Sequence, residues 1–258
     1  MSHFDGLVEI TQDGAGVIEA GSSKAKGFFT ADVMTCIVCV YVCERATIMI
    51  HDSGQLKISE IVKFIDSYGA VKKLVVVSGE NASPEAHEDR VNTIMSKFGL
   101  TGEHLEAKFV TLPAFAVLSD LNGDVVATGK SIPSGVSRIP DSHKRWCVCN
   151  VNNFFSAPSS ESLTLDIQYQ QGKYAPAAEL NQSLEELLGI VDEPPDYFFL
   201  NITFLHEAHK SGLLSLPTSL IDLAKKYNLE RLIKNPLSDE DKAMQLKEYE
   251  SYMREATV

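Results

Sequence analysis

Residues 27–52 read GFFTADVMTCIVCVYVCERATIMIHD, and this stretch decides the fold class. From Gly27 to Val42 it is densely apolar, β-branched and aromatic, which predicts one buried strand. Ala46 to His51 forms a second apolar run, and only Cys43 to Arg45 separate the two. Two strands joined by so short a connection predict an antiparallel hairpin.

Helical and strand patterns alternate after this hairpin. Ile58 to Tyr68 places apolar residues at helical spacing and is followed by Gly69, a common helix end. The run Leu74 to Val77 predicts a short buried strand. Ser83-Pro84 then begins a second helix that ends near Gly99. This order of elements indicates an α/β layer on one side of the molecule.

The chain returns to strands after the second helix. Phe109 to Val126 contains two strands joined at Asn122-Gly123, a strong signal for a hairpin turn. Further strands are predicted at Trp146 to Phe155, at Leu163 to Tyr169 and, weakly, within Leu7 to Ala20. We therefore expect an α+β fold, a mixed β-sandwich or curved sheet flanked by helices. Helical patterns follow, so we divide the chain into a domain at 1–172 and a helical extension at 173–258.

The charge balance narrows the class of partner. Basic residues number 23 and acidic residues 35, so the formal net charge is −12. Such acidity disfavours nucleic acid or an anionic membrane surface, because phosphate groups are repelled. Met1 to Ala15 lacks the basic and apolar regions of a signal peptide, and no stretch reaches the roughly 18 apolar residues of a membrane span. We therefore expect a protein of the producer's cytoplasm with neither partner.

The cysteine pattern argues against disulfides and metal. Cys36 and Cys39 fall on opposite faces of a strand, so they are poorly placed to share a zinc ion. His206 and His209 lack the H-E-x-x-H spacing of a zinc protease helix. An odd number of cysteines in a chain of this length predicts reduced thiols. The five cysteines are Cys36, Cys39, Cys43, Cys147 and Cys149. The sequence thus implies no cofactor.

Cys36 and His51 lie at the same end of the predicted hairpin. Its strands run about 5 Å apart, and pairing outward from the turn brings position 36 close to position 51, with a slip of one residue or a bulge, so the thiol and the imidazole can meet. Such a pair forms a nucleophile and its base. The base needs a third group on its other ring nitrogen, and the Thr30 hydroxyl or a nearby backbone carbonyl can supply it. Asp52 ranks below Thr30, because on a strand it points away from His51.

The string Met34 to Tyr41, MTCIVCVY, resembles the nucleophile strand of the chemotaxis receptor glutamine deamidase CheD and its relatives. The fifteen-residue spacing from Cys36 to His51, with the Asp-Ser-Gly that follows, is similar to the catalytic region of the cytotoxic necrotizing factors. Thr30, six residues before Cys36, resembles the threonine that joins the Cys–His pair in CheD-type enzymes. Protein N-terminal asparagine amidohydrolases look like more distant relatives.

This resemblance implies a protein-glutamine deamidase with a Cys36–His51–Thr30 triad in a domain at 1–172. Cys36 would attack a glutamine carboxamide, and His51 would move the proton. The setting it implies is a bacterial effector or toxin that acts on a GTPase or another signalling or translation protein. Export into a host cell would then need no Sec signal. The extension at 173–258 would recognise the target or serve as a secretion tail.

Other functions fit the same residues. The Cys36–His51 pair also suits a cysteine peptidase, a transglutaminase or an N-terminal amidase. Cys36 can instead be a core residue of a non-catalytic binding protein, since free cysteine is among the most buried residue types. Release of ammonia from an otherwise intact target chain would separate deamidation from peptide cleavage.

Overall fold

The structure is a computed structural model of the whole chain. The chain divides into two compact units, and every described residue belongs to the first, which comprises residues 1–142 and 156–177. The described residues are 6–22, 24–82, 84–129, 135–140 and 164–176. The predicted strand at 146–155, Cys147, Cys149, His206, His209 and the predicted helices from 178 onward lie outside these residues.

Within the described ranges the chain forms eleven strands and two α-helices. The strands are β1 (Leu7–Glu9), β2 (Gly14–Glu19), β3 (Gly27–Val33), β4 (Ile37–Cys43), β5 (Ala46–Asp52), β6 (Val71–Gly79), β7 (Leu105–Val110), β8 (Phe115–Asp120), β9 (Val125–Thr128), β10 (Asp166–Gln170) and β11 (Lys173–Tyr174). The helices are α1 (Ile58–Asp66) and α2 (Pro84–Phe98), with a 3-10 turn at Gly102–His104.

The strands form two mixed sheets. One has four strands in the order β1-β3-β8-β9, and the other has seven in the order β11-β10-β2-β5-β4-β6-β7. The pairs β1–β3, β2–β10 and β6–β7 are parallel, and the other neighbours are antiparallel. The predicted α+β class with mixed sheets is therefore confirmed.

Apolar residues fill both faces of the seven-stranded sheet. Val38 of β4 and Val117 of β8 belong to one buried cluster, which packs between the two sheets. Ile37 of β4 belongs to another, which it shares with Ile61 of α1 and Ile94 of α2. Because side chains alternate along a strand, β4 contributes to both clusters and is apolar at nearly every position.

The predicted hairpin is confirmed as β4 and β5, but its register differs from the expectation. His51 lies opposite Val38, and Asp52 lies opposite Ile37. Cys36 is therefore displaced by two residues from the position opposite His51, rather than by one at most. A displacement of two keeps both side chains on the same face of the sheet, because side chains alternate along a strand.

The single strand predicted from Gly27 to Val42 is wrong. The chain forms β3 in the four-stranded sheet, crosses at residues 34–36, and forms β4 in the other sheet. The backbone of Asp32 has a φ of 55°, and the pairing of β3 with β8 shifts between Thr30 and Val33. A left-handed residue bends the strand, and the continuous apolar run hides the bend because both strands are buried.

The helices follow their sequence signals. Ile58, Ile61 and Ile65 form the buried face of α1, and Gly69 just after it has a φ of 89°. α2 begins at Pro84 and is followed by Gly99, whose φ is 64°. Glycine adopts this left-handed conformation without the steric cost that a Cβ atom brings. Both predicted helices are therefore confirmed.

The predicted hairpin after the second helix is also confirmed, as β8 and β9. Asn122 and Gly123 lie in its turn, where Gly123 has a φ of 76°. The strand predicted within 163–169 appears as β10. Gly172, also with positive φ, lies in the turn from β10 to β11. Residues 173–176 thus belong to the same compact unit as β10, and the helical extension beyond them stays a prediction.

Candidate active site

The Thr30 hydroxyl and the His51 imidazole meet between the two sheets. Thr30 lies on β3 and His51 on β5, and the distance from Thr30 Oγ1 to His51 Nδ1 is 2.8 Å. Thr30 is completely buried, and His51 is 2% exposed. Because the contact joins two sheets that pack face to face, the imidazole has a fixed orientation.

The other imidazole nitrogen has no hydrogen bond in the described part of the chain. His51 Nε2 is a buried polar atom without a partner. Burial lowers the pKa of His51 to about 4, so the ring is neutral at neutral pH. When Thr30 Oγ1 accepts the Nδ1 proton, Nε2 keeps a free lone pair. A buried neutral imidazole of this kind can act as a general base.

Cys36 lies directly before β4, on the same face of the sheet as His51. It is 6% exposed and belongs to the buried cluster between the sheets. Its diagonal relation to His51 corresponds to a backbone separation of about 7–8 Å. The Cys36 sulfur and His51 Nε2 form no hydrogen bond, because Nε2 has no partner. The structure therefore joins Thr30 to His51 and places Cys36 beside them without closing the thiol–imidazole contact.

Burial also keeps the Cys36 thiol protonated. Desolvation raises the pKa of Cys36 to about 12, and the charges of Asp13 and Asp52 act in the same direction. The thiol and the His51 imidazole are both neutral at neutral pH. Residue 35, directly before Cys36, is exposed, and residues 53 and 54, directly after β5, are half-buried.

Asp52 forms an ion pair on the opposite face of β5. Its carboxylate accepts hydrogen bonds from Arg90 Nε at 2.7 Å and Arg90 Nη2 at 3.1 Å. Arg90 also donates to the carbonyl of Leu56 at 2.6 Å, and Gly54 N donates to Asp52 at 2.8 Å. The expectation that Asp52 points away from His51 is confirmed. Its contacts attach α2 to the end of β5.

Sequence reasoning missed Asp13, which lies just before β2 and contacts the end of β5. Its backbone N–H donates to the His51 carbonyl at 2.6 Å. Its carboxylate accepts from Ser53 N at 3.1 Å and from Ser53 Oγ at 2.6 Å. The residue reads as part of a polar turn in TQDGAG, and no local signal distinguishes it.

The described cysteines do not form a metal site. Cys36 packs between the sheets, whereas Cys39 and Cys43 pack on the helix side. All three thiols are free. Among the residues that the structure describes, no group of three His, Cys, Asp or Glu side chains is placed to hold a metal ion.

A cavity of about 340 Å³ lies on the helix side of the seven-stranded sheet. Ile37, Ser78, His87 and Asn92 are among the residues that line it. Ile37 and Cys36 are consecutive, but Ile37 belongs to the helix-side cluster and Cys36 to the cluster between the sheets. The cavity and the Thr30–His51 pair therefore lie on opposite faces of the seven-stranded sheet.

No protein-family model matches the chain, and no curated protein matches it in sequence. The fold and the local geometry are thus the observations that bear on function. Across the described ranges, no helix is both long and apolar enough to cross a membrane.

Proposed function

We propose that this protein is a cysteine-dependent amidohydrolase with Cys36 as nucleophile, His51 as base and Thr30 as the residue that orients the base. One observation carries the proposal. The buried hydrogen bond of 2.8 Å between Thr30 Oγ1 and His51 Nδ1 leaves Nε2 without a partner, on the face of the sheet that bears Cys36. An oriented base beside a thiol is the arrangement that nucleophilic catalysis requires.

The reaction that we propose is deamidation of a glutamine side chain in another protein. Cys36 Sγ attacks the carboxamide carbon while His51 Nε2 accepts the thiol proton. The tetrahedral intermediate then breaks the C–N bond, and His51 gives that proton to the nitrogen, which leaves as ammonia. His51 then deprotonates a water molecule whose oxygen attacks the thioester carbon, the C–S bond breaks to release glutamate, and His51 returns the proton to the Cys36 thiolate.

The Cys36 thiol and the His51 imidazole are both neutral before substrate binds, and the mechanism has to start from this state. A thiol and an imidazole that are both uncharged must exchange a proton during the reaction, as in a serine hydrolase. They are not a preformed thiolate–imidazolium pair. Catalytic contacts often tighten only when substrate binds. We therefore propose that the contact between Cys36 and His51 closes in the substrate complex, when the target protein covers the exposed residues around the thiol.

The choice of glutamine and of the setting depends on the resemblance to CheD and the cytotoxic necrotizing factors. It favours a bacterial effector or toxin made in the producer's cytoplasm that acts on a GTPase or another signalling or translation protein. Deamidation adds one negative charge to such a target, which is enough to disrupt a binding surface. An amine in place of water would give transglutamination from the same thioester.

The test is conversion of glutamine to glutamate in a cell extract treated with the purified protein. Ammonia release and mass spectrometry of the extract proteins are the measurements. We expect Cys36→Ser to abolish both signals and Cys39→Ser to retain them. Cys39 is the matched control because it lies on β4, which Cys36 directly precedes, and is also buried. Cleaved peptide bonds would indicate a peptidase, and retention of both signals by Cys36→Ser would exclude Cys36 as the nucleophile.

A further inference from the structure

Asp13 contacts the strand that bears His51 in two ways. Its backbone N–H donates to the His51 carbonyl, and its carboxylate accepts two hydrogen bonds from Ser53. The residue is 3% exposed and its backbone has a φ of 56°. Non-glycine residues other than Asn and Asp rarely adopt this left-handed conformation. A buried carboxyl on a constrained backbone is costly, so its position next to a candidate active site favours a functional role.

The same carboxyl lies close to the Cys36 thiol. The pairing of β4 with β5 ends at Ile37 opposite Asp52, and Cys36 and Ser53 are the residues that directly adjoin this last pair. Ser53 holds the Asp13 carboxylate through its backbone N–H and its hydroxyl. A negative charge at this place opposes formation of a thiolate, and it contributes to the raised pKa of Cys36.

We infer that Asp13 is a positioning residue of the proposed site, which holds the His51–Ser53 end of β5 and controls by its own ionisation how readily Cys36 loses its proton. The inference rests on Cys36 as the nucleophile of the proposed function. It adds the Asp13 carboxylate to the proposed site, beyond the Cys36, His51 and Thr30 side chains.

Other titratable and charged groups face Asp13 from the elements packed against it. Asp52 is paired with Arg90 of α2. His51 of β5 is neutral because burial lowers its pKa to about 4. Asp166 of β10 donates its backbone N–H to the Asp13 carbonyl, and its carboxylate accepts from Gln168. Desolvation raises the pKa of Asp13 to about 6, so Asp13 ionises within this range.

The test is the rate at which iodoacetamide alkylates Cys36 in the native protein from pH 5 to 9, followed by mass spectrometry of the Cys36 peptide. In the natural protein, we expect the logarithm of the rate to rise with pH along two parallel lines. The line above about pH 6 is displaced to lower rates, because ionised Asp13 suppresses formation of the thiolate. Asp13→Asn keeps an oxygen acceptor for Ser53 and removes the charge. We expect it to give one straight line, about tenfold faster at pH 8.

A second variant makes the test independent of whether Asp13→Asn folds. Ser53→Ala removes the hydroxyl that stabilises the charged carboxylate, so the offset should move to higher pH. Rates for Asp13→Asn within twofold of the natural protein would overturn the inference. If that variant does not fold, an unmoved offset in Ser53→Ala would overturn it. Alkylation needs no turnover, so failure to release ammonia would count against the proposed function and leave this result intact.

Discussion

His51 and Asp52 are neighbours on β5, and their polar side chains are buried in two different ways. Asp52 faces the helices, where the Arg90 guanidinium and the Gly54 N–H satisfy its carboxylate. His51 faces the other sheet, where Thr30 satisfies one ring nitrogen and the second has no partner. Both residues are almost inaccessible to solvent.

This difference separates a structural polar group from a candidate catalytic one. Burying polar atoms costs free energy unless they are hydrogen-bonded, so a closed network such as that of Asp52 serves the fold. A buried nitrogen left without a partner lowers stability and needs another explanation. Here the explanation that we propose is a base that accepts its proton from Cys36 only during the reaction.

The largest expected effect is a loss of stability when the ion pair of Asp52 with Arg90 is broken. Arg90→Met leaves the Asp52 carboxylate buried without its cation, and we expect the free energy of unfolding to fall by about 3–5 kcal/mol. Urea denaturation measures this. Lys73→Met is the matched control, because Lys73 pairs with Glu106 at the same 2.7 Å but the two side chains are 32% and 40% exposed, against 7% for Arg90 and 1% for Asp52. We expect that control to cost about 1 kcal/mol. Equal losses would contradict a special role for burial at Asp52.

A smaller effect on activity should follow from removing the hydroxyl on the His51 side. Thr30→Val keeps the shape of the side chain but leaves Nδ1 of His51 without its partner. We expect kcat to fall by about tenfold to hundredfold with little change in KM, because the base loses its orientation and not the substrate site. Thr30→Ser restores the hydroxyl and should recover most of the rate. An unchanged kcat in Thr30→Val would show that the Thr30 contact is only structural.

The smallest effect should be that of acid on the rate. Since burial lowers the pKa of His51 to about 4, the base stays unprotonated well below the usual histidine range. In the Asp13→Asn variant, where residue 13 no longer titrates, we expect kcat/KM to lose less than about twofold between pH 7.5 and 5.5, where an ordinary histidine would lose about tenfold. A pH profile of ammonia release measures this. A steep loss centred near pH 6.5 would mean that His51 is hydrated in the working enzyme.

The sequence predicts the hairpin well because its information is local. β-branched residues on both sides of a short polar turn determine β4, β5 and their antiparallel pairing. The same logic places Cys36 and His51 on one face and Asp52 on the other. Helices α1 and α2 are equally local, since glycine ends each of them.

What the sequence does not reveal depends on residues distant in the chain. The break between β3 and β4 carries no glycine or proline, and Asp32 takes the left-handed conformation instead. Thr30 thus reaches His51 from the opposite sheet and not along a shared strand. Arg90 and Asp13 escape notice because a charged helix residue and an aspartate in a turn are usually solvated. Only the packed structure shows that both are buried.

The parallel pairing of β2 with β10 delays completion of the seven-stranded sheet during translation. The β4–β5 hairpin can form once residue 52 has left the ribosome, whereas Asp166, whose N–H binds the Asp13 carbonyl, is made 114 residues later. At about 5–20 residues per second, translation leaves that interval on the order of ten seconds. During it, β2 offers an unpaired edge to other nascent chains, which is a risk of aggregation. Cys36 and His51 are thus made well before the strand that completes their surroundings, so the proposed site can be completed only after residue 166 has been made.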